Sequence, residues 1–203
     1  WDELSHFLDH GSPHRALRKD EDLNHIHWAT TRRGFWPKLM ALAIDHRKQI
    51  EEIAGEQSDR IPAFKALAVQ AALKVADGRP GFGMLLDDKW GRDALFAAGS
   101  TEKFWIAKPV ELPGSRPVQF EFSQDIGSRL NEWPVTHCLK VLCFYHPDDP
   151  VELKRQQIET LRTAYDAARK VGREILIEII ASKAGPVADD TTSRALTELY
   201  DAG

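Results

Sequence analysis

Five apolar runs of strand length recur along the chain, and stretches with helical periodicity separate them. Each run is almost continuously hydrophobic, which is typical of strands that are buried on both faces of a parallel sheet. The runs are LMALAI (39–44), FGMLL (82–86), FWIA (104–107), LKVLCFY (139–145) and EILIEII (174–180). A strand and a helix repeated in this order predict an α/β fold with helices packed outside a parallel sheet.

Each of the five runs is followed at once by a polar segment. These segments are AIDHR (43–47), LLDDKWG (85–91), KPVELPGSRP (108–117), FYHPDDP (144–150) and IEIIASKAG (177–185). A closed barrel builds its site from the carboxyl ends of many strands, whereas an open doubly wound sheet concentrates its site at one point. Here the polar segments follow all five predicted strands, and this distribution favours a (β/α)8 TIM barrel. Such a barrel typically needs about 250 residues, so this chain is expected to carry about the first five βα units.

Residues 1–37 differ from the rest of the chain. They are polar, contain five of the eight histidines and are interrupted by Gly11 and Pro13. They predict an N-terminal extension or linker ahead of a barrel domain at 38–203 that is incomplete at its carboxyl end. Three of these histidines recur at the spacing of a zinc-binding helix, but the glycine and proline break that helix, so no metal site is expected here. They are His6, His10 and His14.

Charge and composition exclude several classes of function. The 27 Lys and Arg against 31 Asp and Glu leave a formal charge of −4, and no dense basic stripe predicts a nucleic-acid partner. Neither a signal peptide nor an apolar run of about 18 residues is present, so no membrane contact and a cytoplasmic location are expected. The two cysteines, Cys138 and Cys143, are too few for a disulfide scaffold and are predicted to be reduced thiols. No dinucleotide-binding or P-loop motif follows any strand.

Between the first two runs, the stretch PAFKALAVQAALKVA (62–76) predicts an amphipathic helix. Its apolar residues recur at spacings of three and four, which places them on one face. The positions predicted to face the core are Phe64, Leu67, Ala68, Ala71 and Val75.

Three charged residues lie within or directly beside the apolar runs: Lys108, Lys140 and Glu178. An ionised group in a barrel interior is costly unless it is paired or functional. A lysine and a carboxylate on neighbouring strands could therefore form a structural ion pair. Alternatively, they could be poised for imine or proton-transfer chemistry.

The strand-end residues also allow a structural and a functional interpretation. Asp45, Asp87 and Asp88 each stand where an aspartate could cap the following helix or act in a site. Arg116, beside a glycine turn, could bind a phosphate or a carboxylate, or lie on the surface. Paired carboxylates with His146 could also hold a divalent cation, which keeps a metal-dependent lyase as a minority alternative.

Taken together, these strings resemble the aldolase-like barrel domain that is fused behind the sugar kinase in bacterial 5-dehydro-2-deoxygluconokinase proteins of myo-inositol catabolism. The strings are AIDHR, LLDDKWG, PVELPGS, LKVLCFYHPDD with a glutamine in the next helix, and LIEII. The N-terminal segment resembles the connection between kinase and barrel, so the likeness covers essentially the whole chain. More distantly, the chain is similar to class I tagatose-1,6-bisphosphate aldolases.

The resemblance implies retro-aldol cleavage of 2-deoxy-5-keto-gluconate 6-phosphate to dihydroxyacetone phosphate and malonate semialdehyde, without a metal or organic cofactor. By position, Glu178 matches the acid/base glutamate, Lys140 the active-site lysine that does not form the imine, and Asp45 the first-strand aspartate. The substrate-binding candidates are Arg47, Asp87, Lys108, Glu111, Arg116 and His146. The imine-forming lysine lies on the sixth strand of that family and is expected beyond Gly203, as is the phosphate site.

Two further expectations concern partners. A fused kinase domain is implied by the resemblance, although no kinase-type glycine-rich anion site is present in these residues, so kinase activity is not assigned to them. A non-catalytic barrel that binds a sugar phosphate and regulates the attached kinase is the alternative function. Open strand edges in a partial barrel would also favour a homo-oligomer.

Overall fold

The computed structural model describes residues 38–101, 104–122, 125–134, 136–182 and 184–202. The predicted N-terminal extension at 1–37, with its histidines, lies outside these residues. Within the described part, no helix is long and apolar enough to cross a membrane.

Strands and helices alternate along the described chain, as the apolar runs predict. The strands are β1 (Met40–Ala43), β2 (Phe82–Leu85), β3 (Trp105–Pro109), β4 (Cys138–Cys143) and β5 (Ile175–Ile179). The helices are α1 (Lys48–Ala54), α2 (Ile61–Ala76), α3 (Asp88–Gly99), α4 (Ile126–Asn131), α5 (Val151–Lys170) and α6 (Thr191–Asp201), and a 3-10 helix at Gly55–Arg60 joins α1 to α2.

The strands form one sheet in the order β1-β2-β3-β4-β5, and every neighbouring pair is parallel. Each strand is followed in the sheet by the next strand in the sequence, so every connection crosses over in the same direction. The helices in these connections therefore pack on one face of the sheet. The sheet is curled into a half-barrel with helices outside. The α/β fold with a parallel sheet is therefore confirmed.

Alternate residues of each strand point to opposite faces of the sheet. On the helix side of β4, Leu139, Val141 and Cys143 pack with Leu161 and other residues of α5 in the larger apolar cluster. On the concave side, a smaller apolar cluster comes from four neighbouring strands. Its members are Leu85, Trp105, Ala107, Cys138 and the half-buried Leu176. The concave side of β2 to β5 therefore has an apolar part.

The face of α2 that packs on the sheet differs from the predicted one. Phe64, Leu67 and Val75 are 51%, 63% and 62% exposed, so the prediction that they face the core is wrong. The buried face follows a different set of positions at helical spacing: Ile61, Lys65, Val69 and Ala76. Because this buried set contains a lysine, it is less apolar in the sequence than the face of Phe64, Leu67 and Val75, and the apolar pattern therefore indicated that face.

Candidate functional site

A cluster of charged side chains surrounds Lys140 on the concave face of the sheet. Lys140 Nζ lies 2.9 Å from Asp45 Oδ2, 3.0 Å from Glu178 Oε2 and 3.9 Å from Glu111 Oε1. Asp45 follows β1, Glu111 follows β3 and Glu178 belongs to β5, so four strands contribute to the cluster. The structure thus brings together the three predicted catalytic residues and one predicted substrate-binding residue.

The register of the sheet explains why Lys140 and Glu178 meet. Lys140 pairs with Leu176 across the β4–β5 ladder, and Leu142 pairs with Glu178. Residues two apart in a strand share a face of the sheet. Lys140 and Glu178 therefore both point to the concave side, and Glu178 lies two residues closer to the carboxyl end of the sheet than Lys140. The Lys140 side chain is 3% exposed, whereas 44% of the Glu178 side chain is exposed. Glu178 is therefore the carboxylate of the cluster that a solute can reach.

Arg47 holds Glu111 in this arrangement. Its guanidinium lies 2.5 Å from Glu111 Oε1 and 2.6 Å from Glu121 Oε2, and it also donates to the Glu111 backbone carbonyl at 2.8 Å. The second oxygen of Glu111 accepts from the Leu142 backbone N–H at 3.1 Å. Arg47 is buried, with both terminal nitrogens used by protein groups. Its contacts thus position Glu111, which in turn faces Lys140.

Burial and charge act in opposite directions on the two central groups. Burial by itself lowers the pKa of Lys140, but the surrounding carboxylates of Glu111, Asp45 and Glu178 outweigh it and raise that pKa above its ordinary value. Burial raises the pKa of the Glu111 carboxyl, against the opposing effect of Lys140 and Arg47. Lys140 is therefore a protonated ammonium at neutral pH. In this state it is a local positive charge and not an amine nucleophile.

The loop that carries Asp45 is fixed by Lys65, a residue that the sequence analysis did not select. Lys65 is fully buried, and its Nζ donates to the backbone carbonyls of Ile44 and His46 at 2.8 Å and 2.9 Å. It also forms an ion pair with Asp87. Because the two carbonyls flank Asp45, Lys65 sets the course of the backbone on both sides of that aspartate. The signal for Lys65 was its place at helical spacing between buried residues of α2.

The first two strand-end aspartates have different roles. Asp87 is the N-cap of α3, where its Oδ2 accepts from the Trp90 backbone N–H at 2.8 Å, and its other oxygen pairs with Lys65. The helix-capping interpretation therefore applies to Asp87. It does not apply to Asp45, because α1 begins after Arg47 with no side-chain cap and the Asp45 carboxylate is bonded to Lys140.

Lys108 lies apart from the Lys140 cluster. Lys108 lies two residues after Ile106 in β3, so the two side chains point to the same face of the sheet. Ile106 packs against α2 and α3, and Lys108 therefore lies on the helix side of β3. Its Nζ lies 2.8 Å from Asp88 Oδ1 and 4.0 Å from the centre of the Trp133 ring. The structure does not bring Lys108 to the concave face on which Lys140 lies.

Arg116 and His146 belong to a second group at the carboxyl ends of the strands. Arg116 pairs with Asp149, whose other oxygen accepts from the His146 backbone N–H at 3.0 Å. His146 Nδ1 accepts from the Asp148 backbone N–H at 3.2 Å, and Nε2 lies 2.7 Å from the Pro186 carbonyl oxygen. These contacts make Nδ1 the acceptor and Nε2 the donor of the ring. The described contacts join this group internally and not to Lys140.

No group of three or more His, Cys, Asp or Glu side chains in the described part of the chain is arranged to hold a metal ion. Of the residues proposed for a metal-dependent lyase, Asp87 faces Lys65 and Asp88 faces Lys108. Both ring nitrogens of His146 are bonded to backbone groups. The structure does not bring these three residues together.

A family of known proteins matches this chain. The model of a protein family described as an uncharacterized protein conserved in bacteria (DUF2090) matches residues 3–203. No curated protein matches the chain. The match extends over nearly the whole sequence.

Proposed function

This chain belongs to the DUF2090 family, and we propose that it is an aldolase-type lyase whose site is the Lys140 cluster. The observation that carries the proposal is a protonated lysine, enclosed by three carboxylates at the carboxyl end of a parallel sheet, with Glu178 alone of the three substantially exposed. We further propose that the half-barrel forms part of a (β/α)8 barrel of the class I aldolase type. Active sites of such barrels lie at this end of the strands.

Glu178 is the general base of the proposed reaction. Its exposed carboxylate accepts the proton of the hydroxyl group on one carbon of the bond to be broken. That carbon becomes an aldehyde, and the electron pair of the broken carbon–carbon bond passes to the other fragment as an enolate or enamine. Glu178 then returns its proton to the carbon of that fragment. On the enamine route a lysine amine first condenses with the substrate ketone with loss of water, and hydrolysis of the product imine takes up one water and frees the lysine.

Lys140 contributes positive charge to this reaction. Its ammonium lies 3.0 Å from Glu178, where it can stabilise the negative charge that develops on the substrate oxygen. Asp45 and Glu111 hold the ammonium from the other side, and Arg47 holds Glu111. Charged groups fixed before the substrate binds need no rearrangement during the reaction, which is the main electrostatic advantage of such a site.

The proposed substrate is a phosphorylated keto sugar acid. The resemblance of the strand-end motifs names 2-deoxy-5-keto-gluconate 6-phosphate, with dihydroxyacetone phosphate and malonate semialdehyde as products. Arg116 is the candidate for a contact with its anionic groups, because it lies in the loop that follows β3 and its side chain is partly exposed. Both ring nitrogens of His146 are bonded to backbone groups, so its position does not support a direct contact. The positions of Asp87 and Lys108 do not support a direct contact of either residue with this substrate.

Borohydride trapping tests the proposal. The protein, including the sixth strand on which the resemblance places the imine-forming lysine, is incubated with the substrate and sodium borohydride, and the modified lysine is located by mass spectrometry of peptides. We expect turnover and a covalent adduct on a lysine other than Lys140, because Lys140 is held protonated. An adduct on Lys140 would contradict its role as a fixed charge. Turnover that is abolished by EDTA, with no adduct, would contradict the class I mechanism, and binding of the substrate without turnover would support the non-catalytic alternative.

A further inference from the structure

A second cleft lies on the helix side of β3, between α3 and the segment that leads from α4 into β4. Its volume is about 970 Å³, at the upper end of the range of pockets that bind small molecules. Asp88, Arg92 and Phe96 of α3 line one wall, and Arg129 and Trp133 belong to the lining on the α4 side. The Lys140 cluster occupies the opposite face of the sheet, so this cleft is distinct from the proposed lyase site, although Glu121 of its lining pairs with Arg47.

Buried polar side chains also line this cleft. Lys108 and His137 are both 5% exposed, and Lys108 Nζ lies 4.0 Å from the centre of the Trp133 ring. Asp88 balances the charge of Lys108 at 2.8 Å. A lysine enclosed by an indole ring and a carboxylate costs desolvation energy, and an apolar side chain could fill the same space without that cost. A buried lysine with these two partners is more typical of a ligand-binding site than of a hydrophobic core.

Three lining residues have a buried nitrogen that makes no hydrogen bond with any described residue, and one of these nitrogens is Arg129 Nε. The other two are Trp133 Nε1 and His137 Nδ1. A buried polar group without a partner is destabilising, so such groups in native structures call for an explanation such as a ligand or a bound water. An indole N–H can only donate. A ligand that satisfies Trp133 must therefore present an acceptor.

The charge balance of the cleft favours a negatively charged ligand. The carboxylates that line it are already neutralised: Asp88 by Lys108, Glu132 by Arg129 and Glu121 by Arg47. Arg92, on the exposed side of α3, forms no ion pair with any described residue. A guanidinium without a carboxylate partner is suited to bind a carboxylate or phosphate.

The cleft also offers aromatic surface. Phe96 and Phe122, which line it, are 70% and 50% exposed, and aromatic side chains contribute large contact areas when they bind planar ligands. His137 adds an imidazole whose pKa is lowered to about 4 by burial and by Lys108, so it is neutral at pH 7. We propose that this cleft binds a small planar organic acid, with its anionic group at Arg92 and Trp133 and its planar body against the two phenylalanines.

Binding of 2-naphthoate to the full chain tests the proposal, with 2-naphthamide as the uncharged probe of the same shape. Isothermal titration calorimetry gives the Kd, and the NMR signals of the His137 ring report whether the ligand occupies this cleft. We expect 2-naphthoate to bind at least about tenfold more tightly than 2-naphthamide, because only the acid forms a charge-assisted hydrogen bond.

Two variants and a matched control locate the contacts. Arg92→Gln is expected to raise the Kd of 2-naphthoate about tenfold, and Trp133→Phe several-fold, because it keeps an aromatic ring beside Lys108 but removes the N–H donor. Arg162→Gln, an exposed arginine on α5, should leave the Kd unchanged. Equal affinity for acid and amide, an unchanged Kd in Arg92→Gln, or absence of binding at millimolar concentration would overturn the proposal.

Discussion

Lys140 Nζ and Asp45 Oδ2 lie 2.9 Å apart, although 95 positions separate the two residues in the sequence. Lys140 belongs to β4 and Asp45 follows β1, and two strands lie between these in the sheet. In a flat sheet three strand spacings would separate β1 from β4 by about 14 Å. The contact therefore depends on the curvature of the sheet and, in turn, ties its first and fourth strands together across the concave face.

Replacement of Lys140 by methionine is expected to destabilise the protein. The variant leaves Asp45 buried without its cation, while Glu111 keeps its ion pair with Arg47. Removal of one partner from a buried ion pair costs about 3–5 kcal/mol. The free energy of unfolding, measured with urea at pH 7, checks this value. The variant should regain part of the loss at low pH, where the carboxyl groups become protonated. A variant as stable as the native protein at pH 7 would show that the cluster does not support the fold.

Replacement of Glu178 by glutamine is expected to lower the lyase rate strongly while it changes the free energy of unfolding only slightly. Glu178 is half exposed, so loss of its ion pair with Lys140 should change the free energy of unfolding by less than about 1 kcal/mol. If Glu178 is the general base, the lyase rate should fall by about 10²–10⁴-fold. Glu159→Gln on the surface of α5 is the matched control and should change neither quantity. A large loss of stability with little loss of rate would instead assign Glu178 a structural role.

Lys65 and Asp87 are expected to behave as one unit. Lys65→Met should cost about 3–5 kcal/mol of unfolding free energy, because it leaves the buried Asp87 carboxylate without its cation and two carbonyls without their donor. In Asp87→Asn the amide oxygen can still cap α3, but the charge is lost. Urea unfolding of both single variants and the double variant gives the coupling energy, which should be at least about 1 kcal/mol. Additive effects would show that the two side chains act independently.

The strands were predictable from the sequence because continuous apolar runs are typical of strands in a parallel sheet. Burial on both faces, which the runs also predict, holds for β3 but not for β1, whose residues are exposed, or for β5, whose residues are half-buried. The polar segments that follow the runs also placed Asp45 and Glu178 at one end of the sheet. Their convergence on Lys140 follows from parallel pairing, since the carboxyl ends of all strands then lie at the same edge. This is why sequence reasoning located the centre of the candidate site.

The faces of individual elements were harder to predict. In α2 the apolar spacing through Phe64 and Leu67 was as regular as the true buried face, and the sequence does not show that Lys65 finds a carboxylate and two carbonyls in the interior. For Lys108, the apolar run before it is compatible with either side of the sheet. Which side it takes depends on the packing of Trp105 against the neighbouring strands, and this is a tertiary property.

The two cysteines are expected to be unreactive in the folded protein. Both are buried, and burial raises the pKa of Cys138 and raises that of Cys143 to about 12. Cys143 Sγ also donates to Gln157 Oε1 at 3.2 Å, which favours the thiol form. Because the thiolate is the reactive species, Ellman's reagent at pH 8 should label less than roughly a tenth of the thiols in an hour. Unfolding in urea should release both thiols, whereas rapid labelling of the native protein would contradict the burial of these side chains.

The stability of the protein is expected to fall between pH 7 and pH 5 because of His137. The pKa of this histidine is about 4 in the folded protein, mainly through burial and then through Lys108 and Arg173, against about 6.5 in an unfolded chain. Between these values the unfolded state binds more protons than the folded state, so acidification favours unfolding. For this histidine alone, the loss from pH 7 to pH 5 is about 2 kcal/mol. Urea unfolding of the native protein and of His137→Gln at both pH values measures it: the variant should lose about 2 kcal/mol less on acidification, and equal losses in the two proteins would show that His137 is not held neutral.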